Sequence, residues 1–153
     1  MQPNNASGPW YLDDLKTGDL FRSGEYEMDA NQIVAFAQQF DPQPFHTDLE
    51  AAKASMFGKL AASGWHTAAI TMRLLVETLP FYKGLIGLST DIQWPRPTYP
   101  GDRLRVECRV LEIAPSRSRP EQGVVTVETL TLGQEGEPRQ RQITKVLAFR
   151  KPE

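Results

Sequence analysis

The run Asp41-Pro42-Gln43-Pro44-Phe45-His46 carries a carboxylate at one end and an imidazole at the other, with two prolines between them. Each proline fixes its own φ and pushes the residue before it out of the helical region, so the run is predicted to be a stiff, extended connection that holds both groups in place. Further on, Ser63-Gly64 opens a long apolar stretch. Serine is a strong helix cap, and the amide of Gly64 would stand at the positive end of the helix dipole with no side chain to obstruct it. A carboxylate, an imidazole and such an amide are the parts needed to add water across a double bond conjugated to a carbonyl. The acid–base pair handles water and proton, and the amide receives the enolate oxygen. Spacing alone leaves a plainer reading open, since aspartate is a common turn residue at a helix end and a lone histidine is often structural.

The elements that must position these groups follow from periodicity. Residues 63–80 read as one helix, capped by Ser63 and stopped by Pro80. Trp65, Ala68, Ala69, Ile70, Met72, Leu74, Leu75 and Val76 fit no single narrow stripe, so the helix is expected to be wrapped by other structure. Arg73 and Glu77 interrupt it and exclude a membrane span. Upstream, residues 20–27 read as a short strand, and Asp29 with Gln32 as a capping box for a helix. That helix carries Ile33, Phe36, Ala37 and Phe40 on its apolar face and ends at Phe40. Thr47 or Asp48 caps another short helix through Ala54.

Beyond Gly84 the chain turns to strands. Ile86, Leu88, Thr90, Ile92 and Trp94 alternate with polar or small residues, the pattern of a strand with one buried face. A second strand runs through Leu104, Val106, Cys108 and Val110, where the alternation slips by one residue and predicts a bulge. Two more cover residues 123–132 and 140–149. Helices first and strands afterwards, without crossover helices, predict an α+β domain with a curved antiparallel sheet around the long helix. The free edges of such a sheet point to a homodimer.

Composition bounds the rest. A chain of 153 residues with 40% hydrophobic and 24% charged residues suits one globular domain, expected over 10–153, after a flexible tail at 1–9. A net charge of -2 gives no electrostatic basis for binding nucleic acid. The start has neither the basic nor the apolar segment of a secretion signal, so a cytoplasmic protein without membrane attachment is expected. The single cysteine, Cys108, is read as a buried, inert thiol.

The segment Phe40-Asp41-Pro42-Gln43-Pro44-Phe45-His46, followed by Ala62-Ser63-Gly64-Trp65-His66, resembles the MaoC-like dehydratase family, which includes the (R)-specific enoyl-CoA hydratases. The likeness to the family pattern D-x-N-P-x-H continues through Gly58, Trp94-Pro95-Arg96-Pro97 and Pro100-Gly101-Asp102. It implies the hot-dog fold, a long helix wrapped by an antiparallel sheet. It also implies a hydratase or dehydratase acting on a 2-enoyl or 3-hydroxyacyl thioester, with coenzyme A or an acyl carrier as part of the substrate and no other cofactor. Asp41 and His46 become the water-handling pair, the Gly64 amide the oxyanion donor, and Ser63 its neighbour. The chain departs from the pattern at Phe40, where a small residue is usual and a narrowed acyl pocket follows. It departs again at Gln43, where asparagine is usual and the hydrogen bonds that aim His46 are expected to shift. Arg96 stands either as a contact for an anionic group such as a coenzyme phosphate or as a solvated loop arginine. His66 does not make a metal site with His46 and Asp48, because no ligand spacing supports one. The rival readings are a non-catalytic acyl-thioester-binding module of the same fold and an acyl thioesterase. The second needs no proton-transfer partner for an alkene.

Overall fold

In the computed structural model, which describes residues 8–153, short strands β1 (Leu20–Arg22) and β2 (Tyr26–Glu27) precede four helices, α1 (Ala30–Phe40), α2 (Pro44–Thr47), α3 (Leu49–Lys53) and α4 (Gly64–Thr78). Strands β3 (Ile86–Gln93), β4 (Arg103–Pro115), β5 (Gln122–Leu132) and β6 (Pro138–Phe149) follow. All pair antiparallel in the order β1-β4-β5-β6-β3, with β2 added to β4. This is the α+β arrangement expected. The inner face of β4 buries Leu104, Val106, Cys108 and Val110, and that of β5 buries Val125 and Val127, in one core with Ile70, Leu74 and Leu75 of α4. Burial raises the Cys108 thiol to about 11, against a smaller opposing hydrogen bond with Thr129, so it stays an uncharged core group at neutral pH.

Local chemistry explains most boundaries. The Asp29 carboxylate accepts from the Gln32 amide, Asp48 from the amides of Glu50 and Ala51, and Ser63 from that of Trp65, so three helices begin on side-chain caps. The register of β4 against β5 shifts between Val110 and Glu112, where the alternation slips. Gly58 and Gly101 take φ of +70 and +85, a conformation costly for other residues.

Several expectations change. The single strand at 20–27 is two pieces, because Ser23 turns away from the ladder to bond Val106 through both its amide and its hydroxyl. The capping box is half made, since the Gln32 side chain accepts from the Tyr26 hydroxyl at 2.8 Å. Of the tail expected at 1–9, residues 1–7 lie outside the described residues, while Gly8 lies against Pro80. The proline run is not extended throughout. Gln43 is extended, but Pro44 starts the one-turn helix α2, because a proline's fixed φ and missing N–H suit the first helical position.

The largest difference concerns coverage. Helix α4 is not wrapped on all sides: Trp65 and Val76 are each 57% exposed, and Met72 is exposed beside them. Strand β3, expected to bury one face, is exposed along nearly its whole length and forms one edge of the sheet. Its alternation is that of a surface with no counterpart inside one chain. Among the described residues, no helix is long and apolar enough to cross a membrane.

A buried ion cluster ties the β3–β4 connection to β6. Arg139, 9% exposed at its side chain, pairs with Asp102 and Glu137 and donates to the Pro97 carbonyl at 3.0 Å. Asp102→Ala leaves the guanidinium with Glu137 alone and the Tyr99 amide and Gln134 side chain without their acceptor, so it is expected to cost about 1–3 kcal/mol in urea denaturation. A loss below about 1 kcal/mol would show that water reaches the guanidinium after all.

Candidate active site

The end of α1, the one-turn helix α2 and the start of α4 meet at one point. Asp41 is the C-terminal cap of α1, and its amide donates to Ala37 at 2.8 Å. His46 lies in α2 with its side chain 7% exposed, and its Nδ1–H donates to the Ala61 carbonyl at 2.5 Å. A carbonyl only accepts, so Nδ1 carries the proton, and Nε2 is left to face Asp41 Oδ2 at 3.4 Å. Both atoms are acceptors when the ring is neutral. Two acceptors at that separation suit one water that gives a hydrogen to each.

Asp41 is tuned by its neighbours. Burial by itself raises its carboxyl, but hydrogen bonds from the Gln43 and Ser63 side chains and the charge of His46 outweigh that and hold it below the usual carboxylate range. Ser63, fully buried, therefore serves two helices, capping α4 with its oxygen and helping to keep the carboxylate that ends α1 ionised. The Gln43 amide donates to Asp41 Oδ1 at 2.5 Å, so the longer side chain at this position acts on the carboxylate, while His46 is aimed by Ala61.

These groups line a cavity of about 430 Å³ with Gly64, Trp65, Trp94 and Arg96. Gly64 opens α4 and lines the cavity, and among the described residues its N–H meets no acceptor. A side chain at Gly64 would collide with Trp94, since a Cβ there would stand 2.8 Å from the indole Cε2. The structure thus brings Asp41, His46, Gly64 and Arg96 to one cavity, while Ser63, buried, and Gln43, exposed, act on Asp41 without lining it. It does not bring Phe40 there. That ring is 64% exposed and leans on Phe36, because the residue after it, not Phe40 itself, turns inward at the helix end. A larger cavity of about 490 Å³ beside Tyr82, Phe149 and Lys151 holds no such acid–base pair.

Three residues of this region went unnoticed in the sequence as site residues. Gln140 accepts from the Trp94 indole, Arg139 holds the Pro97 carbonyl, and Thr98 bonds Thr67 of α4. His66 is a packed residue, as its helical position suggests: it is buried and stacks on Phe36 at 4.7 Å with an interplanar angle of 9°. Among the described residues its Nδ1 has no partner. Burial depresses its pKa below the ordinary 6.5, so the folded chain holds it neutral.

The unfolded chain takes up that proton more readily. Stability from His66 is thus complete above the ordinary histidine pKa and is lost as pH falls through the lower folded value. Urea melts from about pH 7.5 to about pH 5 should show falling stability, with a flatter profile for His66→Phe, which keeps the stack. Superimposable profiles would clear His66 of the effect.

Comparisons with known proteins bear on the family and the fold. Residues 16–132 match the family described as MaoC like domain. The uncharacterized protein YdeM of Bacillus subtilis (strain 168) is 34% identical over 126 residues, which cover 80% of this chain and 87% of that protein. A crystal structure of the MaoC-like dehydratase from Rhodospirillum rubrum is 56% identical, covers 94% of this chain and 99% of its own, and superposes with a TM-score of 0.92. The (R)-hydratase from A. caviae involved in PHA biosynthesis has a TM-score of 0.68 at 24% identity, over 90% of this chain and 98% of its own, and shares the fold alone. Helix α4 cradled by its antiparallel sheet is the hot-dog fold, and the chain belongs to the MaoC-like domain family.

Proposed function

We propose that the chain is a hydro-lyase that adds water to a 2-enoyl thioester, or removes it from the 3-hydroxyacyl thioester. The observation that carries this reading is the facing of Asp41 Oδ2 and His46 Nε2 at 3.4 Å on the wall that also holds the unpaired Gly64 amide. Water held between the pair presents its lone pair to the β-carbon. As the C–O bond forms, the π electrons move to the thioester oxygen, and the Gly64 N–H at the positive end of α4 stabilises the charge there. The proton taken from water passes within the pair and is delivered to the α-carbon, so hydroxyl and hydrogen both come from one molecule. Asp41 stays ionised at neutral pH, as this role needs. Ser63 keeps its carboxylate oriented, and Gln43 occupies the other oxygen.

Arg96, exposed between Pro95 and Pro97 at the cavity mouth, is suited to an anionic group of coenzyme A or of an acyl carrier. In a spectrophotometric assay with crotonyl- and longer enoyl-thioesters, Asp41→Asn and His46→Ala should each lower kcat by at least about a hundredfold, and the double variant by far less than the product. Arg96→Gln should raise KM and leave kcat near the parent value. Acyl-thioester binding without turnover of any substrate would favour the non-catalytic module instead, and hydrolysis of the saturated thioester would favour a thioesterase.

The same reading includes a second copy of the chain. Strand β3 has one unpaired edge, and beside it Met72 and Ala68 of α4 form a groove of about 360 Å³ with Leu88 and Ile92. Two β3 edges joined antiparallel about a two-fold axis would continue the sheet and cover both groups. Light scattering should give a dimer mass at micromolar concentration, and Leu88→Asp should halve it. A monomer mass for the parent chain would end the proposal.

A further inference from the structure

Trp94 is a large side chain, 41% exposed, on the wall of the cavity beside the Gly64 amide. Nothing intrinsic keeps a half-exposed indole in one orientation, yet two contacts from α4 hold it. One is direct: the ring lies so close to the Gly64 Cα that a methyl group there would overlap Cε2 and Cδ2. The other runs through the sheet. The indole Nε1–H donates to Gln140 Oε1 at 2.8 Å.

Gln140 is fully buried in a sheet position that an apolar side chain would fill at lower desolvation cost. Its amide cannot flip. The Nε2 group donates to Gln142 Oε1 at 2.9 Å and to Thr71 Oγ1 at 3.3 Å, and reversal would set donor against the indole N–H. Thr71 is fixed in turn, donating to the Thr67 carbonyl at 2.8 Å and lying 2.6 Å from the Thr131 hydroxyl. A chain of satisfied buried groups thus ends on one exposed group, the indole.

On the reading of the site as a hydratase, we propose that Gln140 is a positioning residue that acts through Trp94. It holds the indole against Gly64, where the ring forms the wall on which the thioester carbonyl rests and keeps water from the amide that receives the enolate charge. A donor in drier surroundings stabilises that charge more strongly. Trp65, edge-on to Trp94 at 5.1 Å and 81°, closes the same wall from the solvent side.

The test is a double-mutant cycle of Trp94→Phe and Gln140→Leu, read in enoyl-thioester turnover, with melts alongside. Each single variant should lower kcat by about tenfold, and the double by about tenfold, not about a hundredfold, because Gln140 has nothing to position once the indole N–H is gone. A structural role for Gln140 moves the melt and gives multiplying losses in kcat, and that outcome overturns the proposal. If Gln140→Leu does not fold, Trp94→Phe decides from the other side of the bond, and kcat within about twofold of the parent overturns it. If the parent turns over no enoyl-thioester, the hydration reading fails. The same cycle measured by calorimetry with butyryl-CoA then judges the positioning, with coupled losses of affinity supporting it and independent ones rejecting it.

Discussion

One buried hydroxyl joins the two helices on which this site depends. The Ser63 oxygen accepts from the Trp65 amide and so starts α4, and the same hydroxyl helps hold the carboxyl of Asp41, where α1 ends, below its usual range. A hydroxyl has one donor and two acceptor positions, so a single side chain sets the distance between a helix dipole and a carboxylate. Alanine would fit the space and keep the burial, but it would leave the Trp65 amide without its acceptor and Asp41 without the hydroxyl that favours its charge.

Two aspartates of the chain show what a partner's chemistry decides. Burial raises the carboxyl of both Asp41 and Asp102, and hydrogen bonds bring both back below the ordinary range. Asp102 faces a guanidinium, which does not give up its proton, so its pair can only hold the chain together. Asp41 faces an imidazole, whose Nε2 has a lone pair that can take up a proton and give it back. The same electrostatic depression thus serves cohesion at one place and, on the proposed reading, proton transfer at the other.

The parts of the site that were legible in the sequence are local in the chain. Asp29, Asp48 and Ser63 act on amides two or three residues ahead, and Asp41 and His46 are fixed by a short proline-bearing run, so spacing describes them. Pro44 misled because proline is compatible with both an extended run and the first position of a helix, and only the chain beyond it decides. Gln140 and Arg139 were not legible. Their contacts with Trp94 and Pro97 span more than forty residues, and a glutamine in a strand pattern has no signature distinguishing a buried anchor from a solvated group. The exposure of β3 and of one side of α4 escaped for another reason: an alternating strand predicts that something covers it, and does not say whether that cover lies in the same chain.

The anchoring of the cavity wall by consecutive residues of β6 has a consequence for the order of assembly during synthesis. β6 lies between β5 and β3, so a nascent chain that ends before it has no neighbour for β3 and lacks the hydrogen bonds that fix Trp94 and Pro97. The acid–base residues and the capped start of α4 emerge from the ribosome far earlier. During that interval the site has its reactive groups and lacks a wall, and β3 is an open edge that other chains can meet. Docking of β6 closes the cavity and shields one side of β3 in a single event. On the proposed reading, catalytic competence is thereby tied to completion of the sheet.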